Sequence, residues 1–225
     1  TLMNSDGTKI ILYPCAKAGS YKTPASVTKI DTNAFAGAKK LTKLFIGKNI
    51  TECNINLENC TALKDIIVEE GDLRKFTVYN TSTADLRKLV LPTSLVSSAI
   101  YGYNGKLEDL TIIGWTNTSA EKLAKETGAK FVSAGIVPKR VKGIKINAYV
   151  NPKRIKVSWK CDPQASGYEI YTENKRLKDI PDANITETSI YIGKNYGIML
   201  YIRAYKIQNK KKIYGKPGEK FYSSY

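Results

Sequence analysis

Apolar residues recur along the first half of the chain with a spacing that no isolated helix or hairpin produces. Leu41-Thr42-Lys43-Leu44-Phe45-Ile46 is apolar at its first, fourth and sixth positions, and the arrangement returns at residues 63–68, 86–91 and 107–112. The leading leucines, Leu41, Leu63, Leu86 and Leu107, are 22, 23 and 21 positions apart. A period of about 20–29 residues with this motif marks a solenoid: each turn supplies one short strand, and its apolar side is buried only by stacking on its neighbours. Residues 20–23 read as the first turn, with Tyr21 in the place of Leu44 and Thr23 in that of Ile46. The short strand before it, residues 7–13, is expected to pair against that turn and shield the open end.

Return segments repeat as well. Val27, Ile30 and Phe35 precede Leu41; Ile55 and Leu57 precede Leu63; Val96, Ile100 and Tyr101 precede Leu107. Residues 76–80 keep the apolar content but not the spacing, so the third turn reads as the least regular. Thr118-Ser119-Ala120-Glu121 is a capping box, Gly128 suits the position after a helix, and Ala120, Leu123, Ala124 and Thr127 share one side. A short helix there would seal the far end of the coil.

The period stops at a linker over 133–138, and alternation replaces it. Val141/Ile144/Ile146, Ile155/Val157/Trp159, Tyr168/Ile170, Ile190/Ile192 and Ile198/Leu200/Ile202/Ala204 read as strands, followed by a lysine-rich turn at 210–212 and a last strand near Ile213 and Tyr214. The expected fold is mainly β: a leucine-rich-repeat solenoid with a parallel sheet and a short C-terminal capping helix over 1–134, then an antiparallel β-sandwich over 135–225.

The solenoid region resembles the BspA-like leucine-rich-repeat surface proteins of bacteria. Val27-Thr28-Lys29-Ile30, Asn33-Ala34-Phe35-Ala36-Gly37-Ala38, Leu41-Thr42-Lys43-Leu44, Glu58-Asn59-Cys60-Thr61-Ala62-Leu63 and the ending from Trp115 to Phe131 carry the resemblance. It implies a secreted or cell-surface protein that works in adhesion or protein binding, without catalysis. The second region looks like a fibronectin type III module, on Ile155-Lys156-Val157-Ser158-Trp159, Ala165-Ser166-Gly167-Tyr168-Glu169-Ile170-Tyr171 and Tyr201-Ile202-Arg203-Ala204-Tyr205. Ile198 departs from that pattern, standing where a tyrosine is usual.

Strand alternation nominates a candidate face. With Leu44 and Ile46 inward, Lys43 and Phe45 point outward, and stacking gives a charged column Lys43, Asp65, Lys88, Asp109 beside an apolar column Phe45, Ile67, Val90, Thr111. The charged column alternates in sign and reads as self-neutralising support for the sheet. The apolar column, taken with Trp115 and Tyr101, is either a partner-contact patch or ordinary exposed surface.

Composition narrows the chemistry. The 225 residues contain no histidine, which removes Ser-His-Asp and Cys-His catalysis and every histidine metal site. Cys15, Cys53, Cys60 and Cys161 show no C-x-x-C spacing; Cys60 occupies the repeat position of Ala38, Thr83 and Asn104 and reads as a small buried filler. Glu69, Glu70 and Asp72 form an acidic loop, read as a solvated turn with calcium as the sharper option. No catalytic residue, metal or cofactor is therefore expected. No apolar run reaches the length of a membrane helix, so no membrane insertion is expected.

Charge is uneven. Residues 1–134 carry 17 Lys+Arg against 13 Asp+Glu, and residues 135–225 carry 19 against 7. Arg203, Lys210, Lys211 and Lys212 are the candidate basic surface: a solvated face, or a contact for an anionic cell-wall polymer rather than a specific nucleic acid. The function expected from all of this is a non-catalytic bacterial surface or secreted binding protein, extracellular, with a host or bacterial surface protein or glycan as partner. The other reading is a non-catalytic binding and spacer region of a larger secreted enzyme.

Overall fold

The computed structural model describes every residue except 82–83, 104–106, 152–153, 174, 193–198 and 223–225. Thr83, Asn104 and Ile198, named above, lie outside the described residues. The chain forms two compact units, Thr1–Gly135 and Ile136–Tyr225. No helix among the described residues is long and apolar enough to cross a membrane.

The first unit holds β1 (Leu2–Met3), β2 (Lys9–Leu12), β3 (Gly19–Lys22), β4 (Lys29–Ile30), β5 (Leu41–Ile46), β6 (Glu52–Asn56), β7 (Asp65–Val68), β8 (Lys75–Tyr79), β9 (Lys88–Val90), β10 (Ser97–Ile100), β11 (Thr111–Thr116), α1 (Ser119–Thr127) and β12 (Lys130–Ile136). Its front sheet has six strands in the order β12-β11-β9-β7-β5-β3, and the return strands form sheets β1-β2-β4 and β10-β8-β6. β3 to β11 pair in parallel, as a coil requires. Leu44, Ile66, Leu89 and Ile112 face inward at zero exposure along one ladder, against the return ladder Ile55, Val78, Ile100.

Three expectations change. Strand β2 does not pair with the first front turn; it pairs with β4, Ile10 facing Ile30, because it is itself a return strand, and β1 folds back on it to cover that end. Phe76 and Val78 fall in register with Cys53 and Ile55, so the third return is regular, whereas Val96 and Tyr101 are exposed and only Ile100 points inward. The front strand β11 is shifted by two residues: Lys88 faces Thr111 rather than Asp109, and Val90 faces Ile113 rather than Thr111. The cause lies in the turn. The Leu110 N–H bonds to the Leu107 carbonyl as Leu63 does to Cys60 and Leu41 to Ala38, so Leu107 holds the filler position and Leu110 the leading one. Leu110 then precedes the inward Ile112 by two positions, whereas Leu41 precedes Leu44 by three.

Helix α1 begins as its sequence directs. The Thr118 hydroxyl accepts from Ala120 N–H at 3.3 Å, the Glu121 carboxylate accepts from Asn117 N–H at 2.7 Å, and Gly128 takes the left-handed conformation at φ 73°. Its buried side, Ala120, Leu123, Ala124 and Thr127, lies on β11, where a Cβ on Gly114 would come within 2.4 Å of Ala120 Cβ. All four cysteines are free, and Cys60 is fully buried, its thiol donating to the Phe35 carbonyl at 3.0 Å.

The second unit is an antiparallel sandwich. It comprises β13 (Lys145–Asn151), β14 (Arg154–Ser158), β15 (Gly167–Thr172), β16 (Arg176–Ile180), β17 (Glu187–Tyr191), β18 (Met199–Gln208), β19 (Lys211–Tyr214) and β20 (Phe221–Tyr222). One sheet runs β13-β14-β17 and the other β16-β15-β18-β19, with β20 also on β18. Ile155, Val157 and Ile190 from the first meet Tyr168, Ile170, Leu200, Ile202 and Ala204 from the second in one core. Strands β16 and β20 carry too little apolar alternation to stand out in the sequence.

Candidate functional site

The outer face of the front sheet is ordered by its backbone register. Lys43, Asp65 and Lys88 face one another across β5, β7 and β9, and Lys43 Nζ lies 2.9 Å from Asp65 Oδ2. Both groups are partly solvated, so the pair contributes about 0.2–1 kcal/mol. Thr111 completes this row. Asp109 sits outside it, in the turn, where its carboxylate meets Arg87 at 2.9 Å; Arg87 also binds Asp85 at 2.6 Å.

The adjacent row is Phe45, Ile67, Val90 and Ile113, all half-buried and continuous over four strands. Two acids in the 69–72 loop fix its border. Glu69 reaches back across β5 to Lys22 at 2.6 Å, and the Glu70 carboxylate accepts from Trp115 Nε1 at 3.0 Å and from the Thr93 N–H and hydroxyl. Glu69 and Glu70 are thus engaged in these contacts, and no group of three or more His, Cys, Asp or Glu side chains among the described residues could hold a metal. Trp115 therefore stands at the margin of the apolar row with its indole oriented. Tyr101 does not: it follows β10 in the return sheet and stacks on Tyr79.

In the second unit the basic residues do not form the hydrated tip that their clustering suggests. The hairpin tip is Asn209 and Lys210, both at positive φ, 49° and 62°, a two-residue turn. Lys211 and Lys212 belong to β19, where alternation sends them to opposite faces. Lys210 and Lys211 are exposed, but Lys212 Nζ is drawn in to Asp179 Oδ2 at 2.6 Å and Glu169 Oε1 at 2.8 Å, over the Tyr205 ring at 3.9 Å. Arg203 lies on the same side, donating to the Gly215 carbonyl at 3.2 Å and covering the Tyr214 ring at 4.8 Å.

Glu169 is the centre of this cluster and was not singled out by the sequence reading. Its carboxylate is fully buried and accepts from Arg176, Lys212, Tyr214 and Tyr171. Burial alone would raise its pKa, but the hydrogen bonds from Lys212, Tyr171 and Arg176 outweigh burial and hold it below the ordinary carboxylate value. For Lys212 burial pulls downward, yet Asp179 and Glu169 keep it well above an ordinary lysine; Tyr171 is raised, first by burial and then by Glu169. Mutually satisfied charges of this kind position a surface and leave no free acid or base for proton transfer.

No family model matches the chain, and no curated protein matches it. Among solved structures, the central fibronectin-III array of RIM-binding protein is similar over 42% of this chain and 36% of its own, at 18% identity and a TM-score of 0.33. A structure of domains from titin is similar over 43% of this chain and 35% of its own, at 12% identity and a TM-score of 0.28. This chain thus spans little more than a third of either structure. At such scores neither likeness bears on function.

Proposed function

We propose that the chain is a non-catalytic binding module of an extracellular or bacterial cell-surface protein, presenting the front sheet of its solenoid to a surface protein. The observation that supports this reading is the uninterrupted row Phe45, Ile67, Val90, Ile113 on a sheet of fixed register, bordered by paired charges and the oriented Trp115. Apolar centre and polar rim is the usual anatomy of a protein contact. The histidine-free composition and the absorbed charges around Glu169 agree with a role in binding. In this reading the sandwich is a spacer, and its exposed Lys210 and Lys211 are a secondary contact for an anionic cell-wall polymer.

The test is to probe arrays of surface proteins and glycans with the chain and to repeat each hit with Ile67→Asp. Placing a charge in the middle of the row is expected to lower binding to a protein partner about tenfold or more, 1.4 kcal/mol per decade. Undiminished binding by Ile67→Asp and Phe45→Ala would refute the assignment of the face.

A further inference from the structure

On the return side of the solenoid, sheet β10-β8-β6 also has an outer face, and it is chemically unlike the front. Asn56 and Tyr79 are register partners, and Tyr101 follows in the next turn, its N–H bonded to the Val78 carbonyl at 2.8 Å. The two tyrosine rings stack at 5.6 Å with 22° between planes, yet remain 37% and 55% exposed. Beside them runs a ladder of amides: Asn80 Nδ2 donates to Asn56 Oδ1 at 2.9 Å, and Asn56 Nδ2 donates to Asn33 Oδ1 at 3.1 Å. Gly102 fixes the flank, at φ 74° and so close to Asn80 that a Cβ would meet its backbone at 2.9 Å.

Pairing of turns accounts for the stack and the ladder, but not for leaving two aromatic rings open to solvent. Their surroundings specify the ligand chemistry. Within β6, β8 and β10 the only charged residues are Glu52 and Lys75, which neutralise each other at 3.1 Å at the opposite ends of the strands. Among the described residues of these strands, a phosphate, a sulfated polymer or a nucleic acid finds no unpaired cation. A sugar ring does fit: its electropositive C–H face matches the electronegative face of a tyrosine, and its hydroxyls match amides and phenols that both donate and accept.

We propose that Tyr79 and Tyr101, flanked by Asn33, Asn56 and Asn80, form a contact site for an uncharged carbohydrate. The platform is open rather than concave, so single contacts are weak, in the millimolar range, and gain strength from repetition along a polymer. This site is separate from the front sheet and does not depend on its assignment.

The experiment titrates the whole chain with short neutral oligosaccharides of glucose, of mannose and of N-acetylglucosamine, by calorimetry and saturation-transfer NMR. Saturation is expected at sugar C–H protons. Tyr101→Ala, which removes a ring already more than half in solvent, should lower affinity about tenfold or more, while Tyr101→Trp retains binding. The proposal is overturned if none of these sugars binds, if Tyr79→Ala and Tyr101→Ala both bind like the unaltered chain, or if only acidic oligosaccharides bind and lose affinity with salt.

Discussion

Glu169 illustrates how one side chain can govern a surface. A buried carboxylate is costly unless its oxygens are fully bonded, and here four donors from β15, β16 and β19 converge on it. Removing the charge leaves Lys212 and Arg176 with their partner weakened, so Glu169→Gln should cost the second unit about 3 kcal/mol. The pH dependence follows from the signs. Glu169 is lowered in the fold, so its contribution is present above the ordinary value of 4.5 and is lost as pH falls through the folded value. Tyr171 and Lys212 are raised, so theirs is complete below 10.0 and 10.5 and is lost as pH rises through the folded values. Urea unfolding followed by Trp159 fluorescence in a Trp115→Phe background should give a plateau between those limits, and Glu169→Gln should flatten its acid side.

At the scale of elements, the joint between β11 and α1 shows why the repeat changes at its end. Ile46, Val68 and Leu91 fill the third inward position of the earlier turns, but Gly114 occupies it in β11 because Ala120 of the helix packs directly on the strand. A methyl at 114 would meet the Ala120 methyl at 2.4 Å, so Gly114→Ala should destabilise the first unit by about 1–3 kcal/mol. Ala120→Gly should recover part of that loss in the double variant, a coupling that thermal unfolding of the four proteins measures. Absence of coupling would place the cost elsewhere.

For the whole molecule, the decisive fact is that a net charge of +16 is not one surface. Arg203 and Lys212 are engaged internally, leaving Lys210 and Lys211 at the hairpin as the accessible members of the candidate basic group. Binding of the chain to an acidic polymer should therefore be modest, should weaken between about 50 and 200 mM salt, and should fall further in Lys210→Glu/Lys211→Glu than in Arg203→Ala. Equal losses in the two variants would mean that Arg203 leaves its Tyr214 and Gly215 contacts to bind.

The repeat, the capping helix and the switch to alternating strands were legible in the sequence because each is a local period imposed by burial: about 23 residues for a coil, 3.6 for the helix, two for the strands. The pairing of Lys43 with Asp65 and of Phe45 with Ile67 followed from counting along that period. Counting failed at Leu107, where two leucines compete for one position and only the turn hydrogen bond to Leu110 decides between them. The intervals of 23 and 24 residues between Asn33, Asn56 and Asn80 were also in the sequence, but asparagine is too common in turns for its period to be noticed without the amide contacts. Only the tertiary structure could show that Glu169 is buried, that Lys212 turns inward and that Tyr101 leaves the front face. Those facts depend on which strands become neighbours across long loops, and local alternation fixes the side of a residue without naming what lies beside it.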